Sequence, residues 1–143
     1  MSILLCIAIA ILAFAAAFHV HWAFGGKTGF GVSLPQEADG RPVKKHRLGW
    51  WRPAAFAVAV ALMLLAIVTL SVAGWLSLPI SKNLLQLALA VAGVAFVARA
   101  IVPNRYVGLF KTLRTTRWAR YDTRLYSPLF LILGVSLLLL ARG

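Results

Sequence analysis

Residues 54–76 read AAFAVAVALMLLAIVTLSVAGWL, a stretch without a single charge in which only Thr69, Ser71 and Gly74 interrupt the apolar side chains. As an α-helix rising 1.5 Å per residue it would run about 34 Å, enough to cross the roughly 30 Å hydrocarbon core of a bilayer. Pro53 suits the first turn of such a helix, where a missing N–H leaves no bond unmade. This stretch alone makes the chain a membrane protein.

Similar runs lie on both sides of it. Upstream, Ile3 to Phe18 is apolar and continues through Val20, Trp22 and Phe24, giving a span at about 3–24. Met1-Ser2-Ile3-Leu4 lacks the positive charge that opens a signal peptide, so a retained helix is expected there. Downstream, Leu84 to Val102 is broken only by Gln86, Gly93 and Arg99 and stops at Pro103, giving a span at 83–102. The last run is short, about 21 Å from Pro128 to Ala141. Ser127-Pro128 reads as its N-cap and first residue, so the span is either short, at 127–141, or starts near Leu125. The expected fold is one all-α integral membrane domain, a four-helix bundle with a basic interfacial segment between helices three and four.

Composition agrees. Hydrophobic residues make up 62% of the chain and charged ones 13%, where soluble domains carry roughly 25% charged; mean hydropathy is +0.87. Fifteen Lys and Arg face three acids, Glu37, Asp39 and Asp122, for a net charge of +12. A nucleic-acid binder carries its cations on a soluble fold. Here they sit between apolar runs, so the expected partners are anionic membrane lipids, then other membrane protein subunits, and no nucleic acid.

The cations are also sorted. Loop 25–53 holds Lys27, Arg41, Lys44, Lys45, Arg47 and Arg52. Loop 103–126 holds Arg105, Lys111, Arg114, Arg117, Arg120 and Arg124, with Arg99 one turn inside helix three. Only Lys82 and Arg142 fall on the other side. The positive-inside rule then places both loops in the cytoplasm and both termini outside, in a bacterial inner membrane. Within RYVGLFKTLRTTRW (105–118), Tyr106, Leu109, Phe110 and Leu113 recur at helical spacing, while Lys111, Arg114 and Arg117 fall mostly on the opposite face. That pattern predicts an amphipathic stretch in the headgroup plane, capped by Asn104.

Four features could carry chemistry. His19 and His21 lie at the end of helix one, beside Trp22. Two residues apart on a helix they point about 200° away from each other, so they cannot chelate one metal together. They are either interfacial anchors in an aromatic belt or groups of a site. Gly25-Gly26-Lys27-Thr28-Gly29 has the look of a phosphate loop, but the first glycine of that motif would fall on His21 and no strand precedes it. These glycines instead break helix one. Asp122, bracketed by Arg120 and Arg124, either pairs with an arginine to fix its loop or orients a histidine. Arg99 either snorkels to the surface or turns inward as a partner for an anion or carboxylate. Cys6 is the only cysteine, which excludes an internal disulfide and any Cys-based zinc or iron–sulfur site built from this chain alone.

FHVHWAFGG (18–26), Leu34-Pro35 and ARYDTRLYSPLFLILG (119–134) together resemble a family of small bacterial four-span membrane proteins, a domain of unknown function. The resemblance covers most of the chain and falls on His19, Trp22, Gly25, Gly26, Pro35, Asp122, Tyr126 and Pro128. Trp118 and Phe130 depart mildly from the family pattern. The resemblance implies the four-span architecture and brings no activity with it.

The expected site is a shallow interfacial cleft between the end of helix one (Trp22, Gly25, Gly26, Lys27) and the start of helix four (Arg120, Arg124, Tyr126), with Arg99 beneath. No cofactor and no metal are expected. The leading reading is a protein that binds a lipid-like ligand or serves a larger membrane complex as an accessory subunit. The alternative is a membrane enzyme acting on an amphiphilic substrate, with His19 or His21 as acid/base and Asp122 as orienter. An enzyme requires His19, His21 and Asp122 to converge. An accessory role requires a face with Gly93 and Ala92 open to another helix. A transporter or channel is the weakest reading, because the spans carry almost no polar residues to line a path.

Overall fold

The computed structural model describes residues 2–43 and 50–143, so Lys44, Lys45 and Arg47 of the first basic loop lie outside the described residues. Four helices are long and apolar enough to cross a membrane: α1 (Ile3–Ala23), α2 (Trp51–Val72), α3 (Lys82–Ile101) and α4 (Arg117–Arg142). The described residues otherwise hold a short 3₁₀ turn, Phe30–Val32, and one isolated bridge, Gln36 to Pro42. The protein is an all-helical, four-span membrane protein.

Each helix buries one narrow stripe. On α1 it is Leu5, Ala8, Leu12 and Ala16, at the three- and four-residue spacing that stacks side chains on one face. The opposite faces stay apolar and exposed, with Phe56 56%, Leu87 59% and Val91 61% accessible. In water such surface would drive association; around a bundle of spans it is the surface that lipid solvates. Pairwise, α1 packs chiefly on α2 and α3 chiefly on α4.

All four helices meet in one core, made of Ala8 and Leu12 of α1, Val72 of α2, Leu85 and Leu89 of α3, and Leu133 and Leu137 of α4. This core occupies the half of the bundle nearest the short α2–α3 connection. The opposite half lies toward the two long loops and is held differently, by polar contacts.

Sequence and structure disagree at the start of the fourth helix and in the loop before it, and the second span ends as a helix at Val72 rather than Leu76. The fourth helix starts at Arg117 and runs 26 residues, about 39 Å, so Ser127 and Pro128 are internal to it. Ser127 has helical angles (φ −64°, ψ −42°) and is no N-cap. Residues 103–116 form turns and bends, so the amphipathic helix expected from Arg105 does not form. Asn104 accepts through Oδ1 from the Tyr106 N–H (2.8 Å) and closes a turn. Gly108 at φ +89° then reverses the chain onto the end of α3, where Leu109 N donates to Ala100 O at 2.7 Å. That bond satisfies a helix-end carbonyl that would otherwise lack a partner.

At the crossing of α3 and α4 the backbones touch. A Cβ on Gly134 would lie 2.8 Å from Gly93 O and 2.8 Å from Val97 N. Gly93 is therefore spent inside the chain and is not open to another protein's helix. We expect Gly134→Ala to lower stability by about 1–3 kcal/mol, because backbone atoms have nowhere to move. Gly31→Ala, whose Cβ would meet nothing within 4 Å, should change it little. Unfolding in mixed micelles measures both; equal stability of the two variants would contradict the crossing.

Candidate functional site

At the loop end of α4, the Asp122 carboxylate is completely buried. Its Oδ1 accepts from the Arg99 guanidinium at 2.6 Å. Its Oδ2 accepts from Gly108 N at 2.9 Å and from Lys111 Nζ at 2.9 Å. The Lys111 side chain is also fully buried. Its ammonium has three protons and three acceptors: Asp122, Gly108 O at 2.9 Å and Thr123 Oγ1 at 2.7 Å. Arg99 donates further to Ser127 Oγ at 3.2 Å and lies 4.6 Å from the centre of the Phe130 ring. Among the described residues no buried polar side-chain atom lacks a partner. Two cations and one carboxylate thus join α3, the loop and α4.

The local backbone of α4 makes this possible. Residues Asp122–Tyr126 form a π-helical turn, closed by Ser127 N–H donating to Asp122 O. Pro128 supplies the cause. It has no N–H, and its ring crowds the carbonyl four residues earlier, so the preceding turn widens. In an α-helix, residues five apart point about 140° away from each other. In the i→i+5 turn they stack. Asp122 and Ser127 therefore both face Arg99, while Tyr121 and Tyr126 stack with ring centres 6.5 Å apart.

The first loop clasps the same end. Gln36 Oε1 accepts from Trp118 N at 3.1 Å and Thr116 Oγ1 from Ala119 N at 3.1 Å, so two side chains cap the start of α4. Glu37 accepts from the Tyr106 hydroxyl at 2.9 Å, and Arg105 lies 3.6 Å from its other oxygen. The hydrogen bond to Glu37 is the largest cause of a Tyr106 phenol held above its ordinary value. Arg52 donates to Ala23 O at 3.0 Å, closing the end of α1 beside Gly25, whose φ is +93°.

Between the clasp and the core, α1 and α4 part and leave an apolar groove of about 150 Å³. Its walls include Phe14, Phe18 and Trp22 of α1, Phe96 of α3, and Tyr126 and Phe130 of α4; His19 also lines it. His19 Nδ1 lies 2.8 Å from Ala15 O. A carbonyl only accepts, so Nδ1 carries the proton. Trp22 holds the ring edge-on at 4.9 Å, and its own Nε1 donates to Thr28 O at 2.8 Å. A second cavity of about 160 Å³, on the α2 side, shares His19 and Trp22.

The residues singled out in the sequence separate into three places. His19, Trp22 and Tyr126 share the groove. Arg120 and Arg124 line an open cleft with Arg117, Tyr121 and Leu125 and do not pair with Asp122. Arg99 and Asp122 form the buried cluster. His21 is exposed with its ring over Gly26, where a Cβ would lie 2.2 Å from it, and Lys27 is exposed. The expected convergence of His19, His21 and Asp122 does not occur. Both Asp122 oxygens are occupied by cations and an amide, and the only hydrogen bond of His19 among the described residues is to Ala15. No group of three His, Cys, Asp or Glu that could hold a metal occurs among the described residues.

Lys111, Gly108, Ser127 and Gln36 are the participants that the sequence reading missed. The spacing of 105–118 puts Lys111 on the polar face of a stretch in the headgroup plane, whereas the side chain is buried. The available signal was Pro128 within an apolar run that follows the chain's last acid, which points to a wide turn rather than a helix start.

A family model described as "Protein of unknown function (DUF3995)" matches residues 11–137, and the chain belongs to that family. Neither the curated proteins nor the solved structures contain a match to it.

The cluster makes an ordered expectation. Asp122→Asn strands buried Lys111 without its counter-charge and should cost about 3–5 kcal/mol of stability. Lys111→Met leaves Asp122 paired with Arg99 and should cost less, and the double variant should recover part of the Asp122→Asn loss. Unfolding midpoints of the three proteins test this; additive losses would mean that the two side chains are not coupled.

Proposed function

We propose that this member of the DUF3995 family binds a lipid-like amphiphile, with the apolar part along the groove between α1 and α4 and an anionic headgroup at Arg117, Arg120 and Arg124. The observation that carries this reading is the juxtaposition of the two surfaces. Tyr126 lines the groove, Tyr121 lines the arginine cleft, and the π-turn stacks one ring on the other. An amphiphile has the same two parts in the same order. Guanidinium groups at a membrane surface suit phosphate oxygens, which they bind in a fork. The reading includes the orientation drawn from the charges, with both basic loops in the cytoplasm of a bacterial inner membrane and both termini outside.

Supporting subunit roles are less favoured, because Gly93 is consumed by the crossing with Gly134. Acid–base chemistry by a His/Asp pair is not proposed, since Asp122 is held away from both histidines.

Native mass spectrometry of protein purified in mild detergent tests the reading. Bound anionic phospholipid is expected in preference to phosphatidylcholine. Arg117→Gln, Arg120→Gln and Arg124→Gln together should abolish that preference while leaving the melting temperature unchanged, because all three side chains are exposed. Absence of any lipid adduct, or a preference that survives the triple variant, would sink the proposal. A stoichiometric protein partner in place of lipid would favour the accessory role. For orientation, alkaline phosphatase fused after Gly143 should be active and a fluorescent protein at the same place dark. The reverse result would invert the topology.

A further inference from the structure

The groove offers two polar side chains, and their hydrogen-bonding senses differ. His19 Nδ1–H is committed to Ala15 O, so in the neutral ring Nε2 is left with a lone pair and can only accept. Trp22 lies edge-on to the imidazole, with ring centres 4.9 Å apart. Tyr126 presents a hydroxyl, which can donate. Neither Nε2 nor that hydroxyl has a hydrogen-bond partner among the described residues, neither is a sealed-off polar atom, and both residues line the groove.

We propose that the ligand of this groove carries a free hydroxyl at the level of His19 and Tyr126, donating to Nε2 and accepting from the phenol. The inference rests on the groove being the ligand site and deepens that reading by naming a chemical group. Other groups fit less well. An ester or ketone accepts from Tyr126 but turns a lone pair toward Nε2. A carboxylate does the same with a full negative charge. An ammonium could donate to Nε2, but the Arg99 charge lies 4.6 Å from the Phe130 ring that walls the groove, and like charge opposes it. A hydroxyl is neutral and has both the donor that Nε2 lacks and an acceptor for the phenol. Size narrows the choice as well, because about 150 Å³ is small beside the roughly 300–1,000 Å³ of common ligand pockets. A single hydrocarbon chain is therefore the suitable probe.

Competition in one native mass spectrum tests this. Equal amounts of a lysophosphatidic acid with its free glycerol hydroxyl and of its O-methyl ether are added to the purified protein. The two share phosphate and chain, and the spectrum separates them by mass. The free hydroxyl form should dominate the bound species by about five- to tenfold, the range expected for one neutral hydrogen bond with its partner otherwise left unpaired. His19→Phe should bring the ratio to one by weakening the hydroxyl form alone, and Tyr126→Phe should lower it in part. His21→Phe, off the groove, should leave it unchanged. Should His19→Phe fail to fold, His19→Gln supplies an amide carbonyl as acceptor and should keep part of the preference. A ratio of one in the unaltered protein, with both lipids bound, overturns the hydroxyl assignment and leaves lipid binding standing. Binding of neither overturns both.

Discussion

A carboxylate with no access to water has to be matched by positive charge, and Asp122 sets that requirement for the whole loop end of the molecule. Its burial is tolerable only because Arg99, Lys111 and the Gly108 amide converge on its two oxygens. Each partner comes from a different part of the chain, so the demand of one side chain fixes α3, the loop and α4 at once. The lipid-like core at the other end cannot do this. Apolar packing between helices has little directional preference in a bilayer, where the surrounding tails are as apolar as Leu. A satisfied polar network has one geometry, and here it decides how the helices end.

The four spans were legible from the sequence because their cause is local: a run of uncharged residues long enough to cross a bilayer. The start of α4 was not legible, because its cause is a competition. Pro128 at the head of an apolar run ordinarily marks a first turn. In this chain the residues before it continue the helix, since the widened turn that accommodates the proline also aims Asp122 and Ser127 at Arg99. The tertiary bonds offset the cost of the irregular turn, and no window of sequence contains them. Lys111 was misread for a related reason. Its place at helical spacing with Arg114 and Arg117 suggests a polar face, while its actual surroundings depend on a reversal at Gly108 that pattern-reading passes over.

Charge asymmetry likewise proves to be several things at once. Arg99 and Lys111 are structural and buried, Arg52 closes the carbonyl end of α1, and Arg105 lies against Glu37. Arg117, Arg120 and Arg124 are exposed together around one cleft. Among the described residues, sorting the cations by what they touch separates those that the fold already uses from those that no acceptor engages. The charge of the two loops in the sequence bears on the expected orientation, whereas the exposed guanidinium groups of Arg117, Arg120 and Arg124 are what the proposed headgroup site rests on.

The two ends of the bundle also separate stability from recognition. The shared core sits near the short connection, and the groove adjoins it, with Leu133 belonging to both. The polar clasp holds the loop ends of α3 and α4 beyond the groove. A site so arranged can carry an unpaired acceptor such as His19 Nε2 at the edge of the hydrocarbon, where leaving a polar atom without a partner is costly. That cost is what a ligand with a matching donor would relieve. On the proposed reading, it is the reason for the groove to prefer one amphiphile over the bulk lipid around it.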